Sequence, residues 1–290
     1  MNSQDLLQYL LSGLTLGSVY AMVGLSLTIV FNATGVVNFA QGELVMVAGL
    51  VAASTVAQGL PLLVAAAIAI VAGALAAEAA YLVTVAPIRR PSLFSLILVT
   101  LGVAIVTRSV AQLAWGTEAR ALPPFTGGES IDVLGASLTP QAIWVMAGTV
   151  ATMACLYLFF SRTRVGQAML ACSENREAAA LVGIDVRWVA AGAFALGGAL
   201  AGLAGVLITP ITSAVFSVGV TYTLAGFAAA VLGGFGSAPG VVVGGLVLGT
   251  LESFAGGLVS SGYREIVPLA ALVLVLMVRP GGLFGTRVLD

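Results

Sequence analysis

The chain has 290 residues, of which 60% are apolar and only 8% are charged, with a net charge of −1. Soluble domains carry about 25% charged residues, so a chain of this composition would lack the polar groups to cover a water-exposed surface. With a mean hydropathy of +1.11, it is predicted to be an integral membrane protein without the basic surface that nucleic acid requires. The lack of His and Lys excludes a P-loop and removes the usual general base and metal ligand, so we expect no catalytic or metal site.

Long apolar runs separated by polar loops predict the fold class. We expect an all-α, polytopic transmembrane helical bundle with about eight or nine spans and discontinuous helices. No polar stretch is long enough to build a core of its own, so residues 1–290 are predicted to form a single transmembrane domain. The candidate spans are 8–30, 42–58, 62–85, 94–115, 141–161, 188–209, 221–236, 239–257 and 265–279.

Arginine placement orients this bundle, because cytoplasmic loops carry an excess of basic residues. Loop 116–140 contains acidic residues and only Arg120, so we expect it outside. The C-terminus is expected to be cytoplasmic, and an odd number of spans would place the N-terminus outside. The arginines expected on the cytoplasmic side are Arg89, Arg90, Arg162, Arg164, Arg176, Arg187, Arg279 and Arg287.

A polar segment, Asn38–Glu43, interrupts the apolar sequence between the first two candidate spans. Irregular backbone at membrane depth is tolerated only where protein or water covers it, so this segment predicts a discontinuous helix. Glu43 would begin the next helix, where a carboxylate complements the helix dipole. Two interpretations stay open: Asn38, Gln41 and Glu43 cap the helix beside the interface, or they line a translocation path.

Glu252, Arg108 and Glu78 also lie within candidate spans. Glu252, late in a short span, either faces a cavity on the same path or contacts a neighbouring helix. Arg108 and Glu78 lie towards the ends of their spans, so we expect no functional role, and Arg108 can extend to the membrane surface.

The polar loop 162–187 is predicted to contain a short helix. Ser173 has the residue type of an N-cap, and Gly183 that of the residue after a helix end. A short exposed helix has little reason to exist for stability alone, so it is a candidate for docking into a groove of a partner. A connecting helix on the membrane surface is the alternative. The apolar residues that the helix offers are Ala178, Ala179 and Leu181.

A glycine-rich break divides the apolar region 221–257. Such a sequence interrupts any helix, and it predicts either a tight cytoplasmic turn or a hinge or gate. Paired broken segments in the two halves of a transporter point to its binding site, so this break and the one at Asn38–Glu43 are candidates for such a pair. The residues of the break are Gly233, Gly234, Gly236, Pro239 and Gly240.

Three small-residue pairs with the GxxxG spacing predict close helix contacts, because transmembrane helices pack through small residues that let their backbones approach. The pairs are Gly13 with Gly17, Gly198 with Gly202, and Gly245 with Gly249.

Motifs along nearly the whole chain resemble the LivH-type permeases of branched-chain amino acid ABC importers. Their order and spacing are more specific than any one of them. In the loop 162–187, the sequence Glu177–Ala179 followed by Gly183 is similar to the docking pattern of ABC importer permeases, which implies ATPase coupling by this helix, including Arg176 and Leu181. The motifs are Thr15–Ser18, Asn38–Glu43, Leu181–Ile184, Ala204–Leu207, Ala230–Gly240 and Arg279–Leu283.

The resemblance implies a permease domain that forms half of a translocation path in a bacterial inner membrane. Such a chain binds no cofactor itself, because ATP and Mg²⁺ are used by two cytoplasmic ATPase subunits. Its other partners are a second permease subunit, homologous or identical, and an extracytoplasmic substrate-binding protein. Branched-chain amino acids are the implied substrates, with urea, short-chain amides or other amino acids as alternatives among related importers.

Two other classes of protein are considered from the residues alone. An ion-coupled secondary transporter needs intramembrane carboxylates, and Glu43 and Glu252 are available for that role. A membrane-embedded enzyme needs a nucleophile with a base or several metal ligands in one pocket, which the scattered carboxylates do not provide. A requirement for an ATPase partner separates the importer from the secondary transporter.

Overall fold

A computed structural model describes residues 3–88, 92–258, 266–279 and 281–284. Within these ranges the chain folds into helices and one small hairpin, which confirms the predicted all-α fold class. Arg89, Arg90 and Arg287 lie outside the described residues, as do the first position of the predicted span 265–279 and Pro280. The elements are α1 (Ser3–Thr34), α2 (Gln41–Ala57), α3 (Leu62–Ala80) with a π-helical extension (Tyr81–Val85), α4 (Leu93–Trp115), β1 (Ile131–Val133), β2 (Ala136–Leu138), α5 (Pro140–Arg162), α6 (Arg164–Glu174), α7 (Arg176–Leu181), α8 (Val186–Thr212), α9 (Gly219–Gly233), α10 (Ala238–Leu258) and α11 (Ile266–Val278).

Six of the described helices are long and apolar enough to cross a membrane: α1, extended α3, α4, α5, α8 and α10. Helices α2 and α9 are apolar but have only 17 and 15 residues. At 1.5 Å per residue they are about 25 and 22 Å long, against a hydrocarbon thickness of about 30 Å. Six long helices and these two shorter ones approach the predicted number of spans, and the short pair are the discontinuous helices.

The bundle has two distinguishable ends. One end, here called the hairpin end, holds the antiparallel strands β1 and β2, and Gln8 near the start of α1 bonds the backbone of Ser137 there at 2.7 and 3.1 Å. The opposite end, here called the arginine end, holds α6 and α7, and Arg176 reaches the carbonyl oxygen of Ala33 at the other end of α1. Helix α1 therefore runs the full length of the bundle, and 83% of its most apolar window is buried.

The predicted glycine pairs lie at close contacts between helices, as their spacing predicts. A Cβ atom on Gly249 of α10 would lie 2.3 Å from the backbone nitrogen of Gly17 of α1. A Cβ atom on Gly198 of α8 would lie 2.4 Å from the carbonyl oxygen of Gly73 of α3. These helices pack backbone against backbone, which is the way that small residues hold helices together in lipid.

Two connectors turn back into the bundle. After α1 ends at the arginine end, residues 35–40 return inward, and α2 begins at Gln41, whose Nε2 lies 3.3 Å from the Cβ position of Gly197 near the middle of α8. After α8 ends at the hairpin end, where Ala214 pairs with Arg120, residues 213–218 return inward and α9 begins at Gly219. The two short helices thus begin inside the bundle and run towards opposite ends.

The glycine-rich break forms a tight turn between α9 and α10. Gly234 and Gly236 have positive φ angles of 103° and 100°, and the turn joins α9 to α10 at the arginine end, beside Asn32. A Cβ atom on Gly233 would lie 2.1 Å from the carbonyl oxygen of Gly240, so the two helix ends touch. The start of α9, which follows residues 213–218, contacts the start of α2, so the structure does not support the pairing of the glycine-rich break with Asn38–Glu43.

Candidate functional site

The starts of α2 and α9 meet inside the bundle in direct backbone contact. A Cβ atom on Gly42 would lie 2.1 Å from the carbonyl oxygen of Gly219 and 2.4 Å from the backbone nitrogen of Thr223. The Thr223 hydroxyl oxygen accepts the Gly42 backbone N–H at 3.0 Å, and it lies 3.3 Å from the carbonyl oxygen of Phe39. The positive dipole ends of two helix N-termini therefore converge on one point.

Glu43 occupies this point of convergence, with 1% of the residue exposed. Its Oε1 atom accepts hydrogen bonds from Arg108 Nη2 and, at 3.1 Å, from Arg108 Nε. Its Oε2 atom has no hydrogen-bond partner among the described residues and lies against the Cα of Gly219, where a Cβ atom would be 2.1 Å away. A carboxylate buried at membrane depth needs such compensation, which here comes from a guanidinium and from two helix starts.

Arg108 does not extend to the membrane surface as expected. Its side chain, 31% exposed, turns inward from α4 to Glu43 and forms an ion pair with it. The pairing has a plain physical cause, because a carboxylate and a guanidinium that are both partly removed from water are each stabilised by the other. Arg108 therefore joins the predicted group around Glu43.

Asn38 and Gln41 hold the connector that leads into α2. Asn38 Nδ2 donates to Gln41 Oε1 at 2.9 Å, and Asn38 Oδ1 accepts the backbone N–H of Ala40 at 3.1 Å. Both side chains are buried, and Gln41 Nε2 has no hydrogen-bond partner among the described residues. The segment is thus covered by protein, as irregular backbone at this depth must be. A lining role for Asn38 and Gln41 stays a prediction.

Glu252 lies near the same start of α9 from the opposite side. Its Oε2 accepts a hydrogen bond of 2.6 Å from the phenol of Tyr20. Both residues line a cavity of about 80 Å³ that also contacts Thr221, two positions after Gly219. Glu43 therefore contacts the first turn of α9, and Glu252 shares a small cavity with Thr221 of that turn.

At the arginine end, α7 is the short helix predicted in loop 162–187, with a different N-cap. Asn175 caps it, since its Oδ1 accepts the backbone N–H of Ala178 at 2.9 Å, whereas Ser173 lies inside α6 and bonds the carbonyl of Leu170. The C-terminal end is a Schellman motif: Gly183, with a φ of 89°, donates to Ala180 O, and Ile184 N donates to Ala179 O at 3.0 Å. Both ends of this six-residue helix are fixed by local bonds.

The exposed tip of α7 consists of Leu181 and Val182, which are 89% and 78% exposed. Ala178 and Glu177 are exposed as well. The prediction that Ala179 belongs to this surface is wrong, because Ala179 is 4% exposed and belongs to the apolar cluster of Met169 and other core residues. On a single helical turn, successive residues point to different sides, so one alanine faces out and the next faces in.

The sequence did not predict roles for Gly219 and Thr223, and it did not predict that Arg108 is the ion-pair partner of Glu43. The one signal available was Arg108 itself, since a charged residue within an apolar span calls for a partner. Nothing local distinguishes Gly219 or Thr223 from other small residues of a transmembrane helix. Their roles follow from the contact with α2.

Comparison with known proteins agrees with this architecture. The profile of the family described as branched-chain amino acid transport system / permease component matches residues 9–276. The high-affinity branched-chain amino acid transport system permease protein LivH of Escherichia coli (strain K12) is 34% identical over 298 residues, which cover 96% of this chain and 95% of that protein. The corresponding permease protein BraD of Pseudomonas aeruginosa is 33% identical, over 96% of this chain and 95% of that protein.

Further relatives and one solved structure also match most of the chain. The ribose import permease protein RbsC of Escherichia coli (strain K12) is 32% identical over 90% of this chain and 82% of that protein. Among solved structures, PsaBC from Streptococcus pneumoniae in complex with Fab superposes with a TM-score of 0.53 at 14% identity, over 93% of this chain and 90% of that chain. This last likeness concerns the fold alone.

The fold and the buried polar groups define a multi-pass helical membrane protein of the permease class. More particularly, this chain belongs to the branched-chain amino acid transport system permease family, because the family profile covers most of its length. The resemblance expected from its motifs is thereby confirmed.

Proposed function

We propose that this chain is a non-catalytic permease subunit of an ATP-driven importer for branched-chain or related amino acids. The whole chain forms one transmembrane permease domain and half of the translocation path. Two cytoplasmic ATPases use ATP and Mg²⁺, a second permease subunit completes the path, and an extracytoplasmic binding protein delivers the substrate. In this arrangement the chain lies in a bacterial inner membrane. Its arginine end, with the C-terminus, faces the cytoplasm.

The exposed tip of α7 is the observation that carries this proposal. A helix of six residues is too short to be stable in water without its caps. It nevertheless presents Leu181 and Val182 almost fully exposed, and such an apolar tip fits a groove in a partner. Family membership supports an ATPase as that partner, since the family is described as a permease component of a transport system.

Co-purification followed by reconstitution tests the proposal. The tagged chain is purified from its native membrane in mild detergent, and the recovered proteins are identified by mass spectrometry. The complete assembly is then placed in proteoliposomes, and uptake of leucine, isoleucine, valine, urea and acetamide is measured with and without ATP. Recovery of P-loop ATPases and ATP-driven uptake of the amino acids are expected. Uptake driven by an ion gradient alone would contradict the proposal.

The second candidate, an ion-coupled secondary transporter, rests on the buried carboxylates at the start of α9. Glu43 and Glu252 would be the groups that bind the coupling ion. The same uptake experiment separates the two candidates, because a secondary transporter works without ATPases. The hinge or gate role of Gly233, Gly234, Gly236, Pro239 and Gly240 stays a prediction under either candidate.

Leu181→Asp is expected to release the ATPases and to reduce ATP-driven uptake at least about tenfold. A charge introduced at the centre of an apolar contact removes a dominant part of the binding energy, and about 1.4 kcal/mol already corresponds to tenfold. The side chain is 89% exposed in the isolated chain, so the fold should be unaffected. Binding of purified ATPase to permease in nanodiscs measures the effect, and Glu177→Arg on the same helix should act in the same direction.

Leu134→Asp is the matched control for this substitution. Leu134 is 85% exposed but lies between β1 and β2 at the hairpin end, far from α7. The same chemical change there should leave ATPase binding unaltered. Full binding of the ATPases to the Leu181→Asp protein would show that α7 is only a connecting helix.

A further inference from the structure

The guanidinium of Arg176 reaches the end of α1, although Arg176 begins α7 and is an exposed residue. Its Nη2 and Nε atoms donate to the carbonyl oxygen of Ala33 at 2.7 and 3.3 Å. Burial lowers the pKa of Arg176 from its ordinary value, but a guanidinium keeps its proton at neutral pH. Arg176 is exposed as a residue, but its guanidinium bonds within this chain in a partly buried contact and is therefore not part of the exposed tip.

The acceptor belongs to the last turn of α1, which ends at Thr34. The final carbonyl groups of a helix have no partner within it, and a cation there is also favoured by the helix dipole. Arg176 thus satisfies a carbonyl of Ala33, a residue that is 2% exposed. A charge-assisted bond of this kind is directional, whereas the apolar contacts of Ala179 in the same helix permit sliding.

Ala33 lies directly before the connector 35–40 that leads to the start of α2. Gly35, with a φ of 67°, makes the turn out of α1. Beyond it, the carbonyl of Val37 accepts from Thr100 of α4 at 3.3 Å, and the connector continues to Glu43, which binds Arg108. One short stretch of backbone therefore joins the Arg176 contact to the buried polar groups at the start of α9.

We propose that Arg176 is a tether that transmits the movement of α7 to α1 and through the connector 35–40 to the ion pair of Glu43 and Arg108. This proposal rests on the proposed function, since it assumes that ATPases move α7. Arg176 is accordingly a positioning residue, and the contact with the ATPase belongs to Leu181 and Val182. Loss of the tether should leave ATP hydrolysis running without transport.

The test uses the complete importer in proteoliposomes, with ATP hydrolysis and leucine uptake measured on the same sample. Arg176→Ala is expected to keep the ATPases bound and hydrolysis within about twofold, while leucine taken up per ATP falls about tenfold, the effect of one lost charge-assisted bond. Arg176→Lys, which keeps a cationic donor, should recover part of the ratio. Arg164→Ala, which removes an exposed arginine of the same loop, should leave the ratio unchanged.

Hydrogen exchange provides a second measurement. Its dependence on ATP would not change if Arg176 only stabilised the fold. Exchange of the amides of residues 35–40 is expected to change on ATP binding in the wild-type importer and to become insensitive to ATP in the Arg176→Ala importer. If Arg176→Ala does not fold, Arg176→Lys carries the test, with an intermediate uptake ratio expected.

Three outcomes would contradict the proposal that Arg176 is a tether. Release of the ATPases by Arg176→Ala would make it a docking residue, and parallel loss of hydrolysis and uptake would point to general damage. An unchanged ratio of uptake to hydrolysis in both variants would show that the bond transmits nothing. A wild-type importer without ATP-driven uptake would instead refute the proposed function itself, whichever variant is measured.

Discussion

Glu43→Ala is expected to destabilise the protein by about 3 kcal/mol and to abolish uptake, because it leaves the Arg108 guanidinium at membrane depth without its carboxylate. Glu43 is 1% exposed and provides the ion-pair acceptor for Arg108. The reverse substitution, Arg108→Met, should have a similar effect, since it leaves the carboxylate buried without its guanidinium. The midpoint of thermal unfolding in detergent and leucine uptake in proteoliposomes measure the two effects.

The double variant Glu43→Met with Arg108→Met distinguishes a role of the ion pair in stability from a role in transport. Replacing both members of a buried ion pair by apolar residues often restores stability, so the unfolding midpoint should return towards that of the wild type. If the pair takes part in transport, the stable double variant should remain inactive. Full uptake by the double variant would show that the pair only holds α2, α4 and α9 together. Glu129→Ala, which removes an exposed loop carboxylate, serves as the control.

Gly42→Ala is expected to separate the two helix starts. The added Cβ would lie 2.1 Å from the carbonyl oxygen of Gly219 and 2.4 Å from the backbone nitrogen of Thr223, and neither backbone atom can move without moving its helix. Overpacking of this severity destabilises by about 3 kcal/mol or more. The thermal unfolding midpoint should fall, and the ATP-driven uptake should be lost with it.

Gly102→Ala is the matched control for Gly42→Ala. Gly102 lies inside α4, and apart from the neighbouring backbone of α4 itself, a Cβ added there meets no atom of the described residues within 4 Å. Alanine is favoured over glycine within a helix by up to about 1 kcal/mol, so this control should have unchanged or higher stability. Equal stability of the two alanine variants would contradict the close contact between α2 and α9.

Much of the architecture was predictable because its signals are local. Apolar runs predict spans, and the polar sequence Asn38–Glu43 predicts a break, because unpaired backbone in lipid must be covered. The cap residues of α7 were recognisable by type, although the choice of Ser173 over Asn175 was wrong by two positions. Asn and Ser are nearly equivalent as caps, so the choice between them depends on where α6 ends.

The pairing of the breaks was not predictable for a different reason. The segment 232–240 has a strong glycine signal and is a turn at the arginine end, whereas 213–218 has a weak signal and leads into the helix start that contacts α2. Glycine and proline indicate that a helix ends, but they do not indicate at which depth in the membrane it ends. That depth depends on where α8 begins and how it packs against α2.

Composition and local patterns were sufficient to predict the membrane environment, the helical class, the two intramembrane carboxylates and the short helix in loop 162–187. These depend on composition and on neighbours within one or two turns. Three contacts became visible only in the folded bundle: Glu43 pairs with Arg108, 65 positions away, Gly42 touches Gly219, and Arg176 bonds to Ala33. Such contacts join side chains from different helices. They depend on the register and rotation of each helix in the bundle, which no single stretch of sequence specifies.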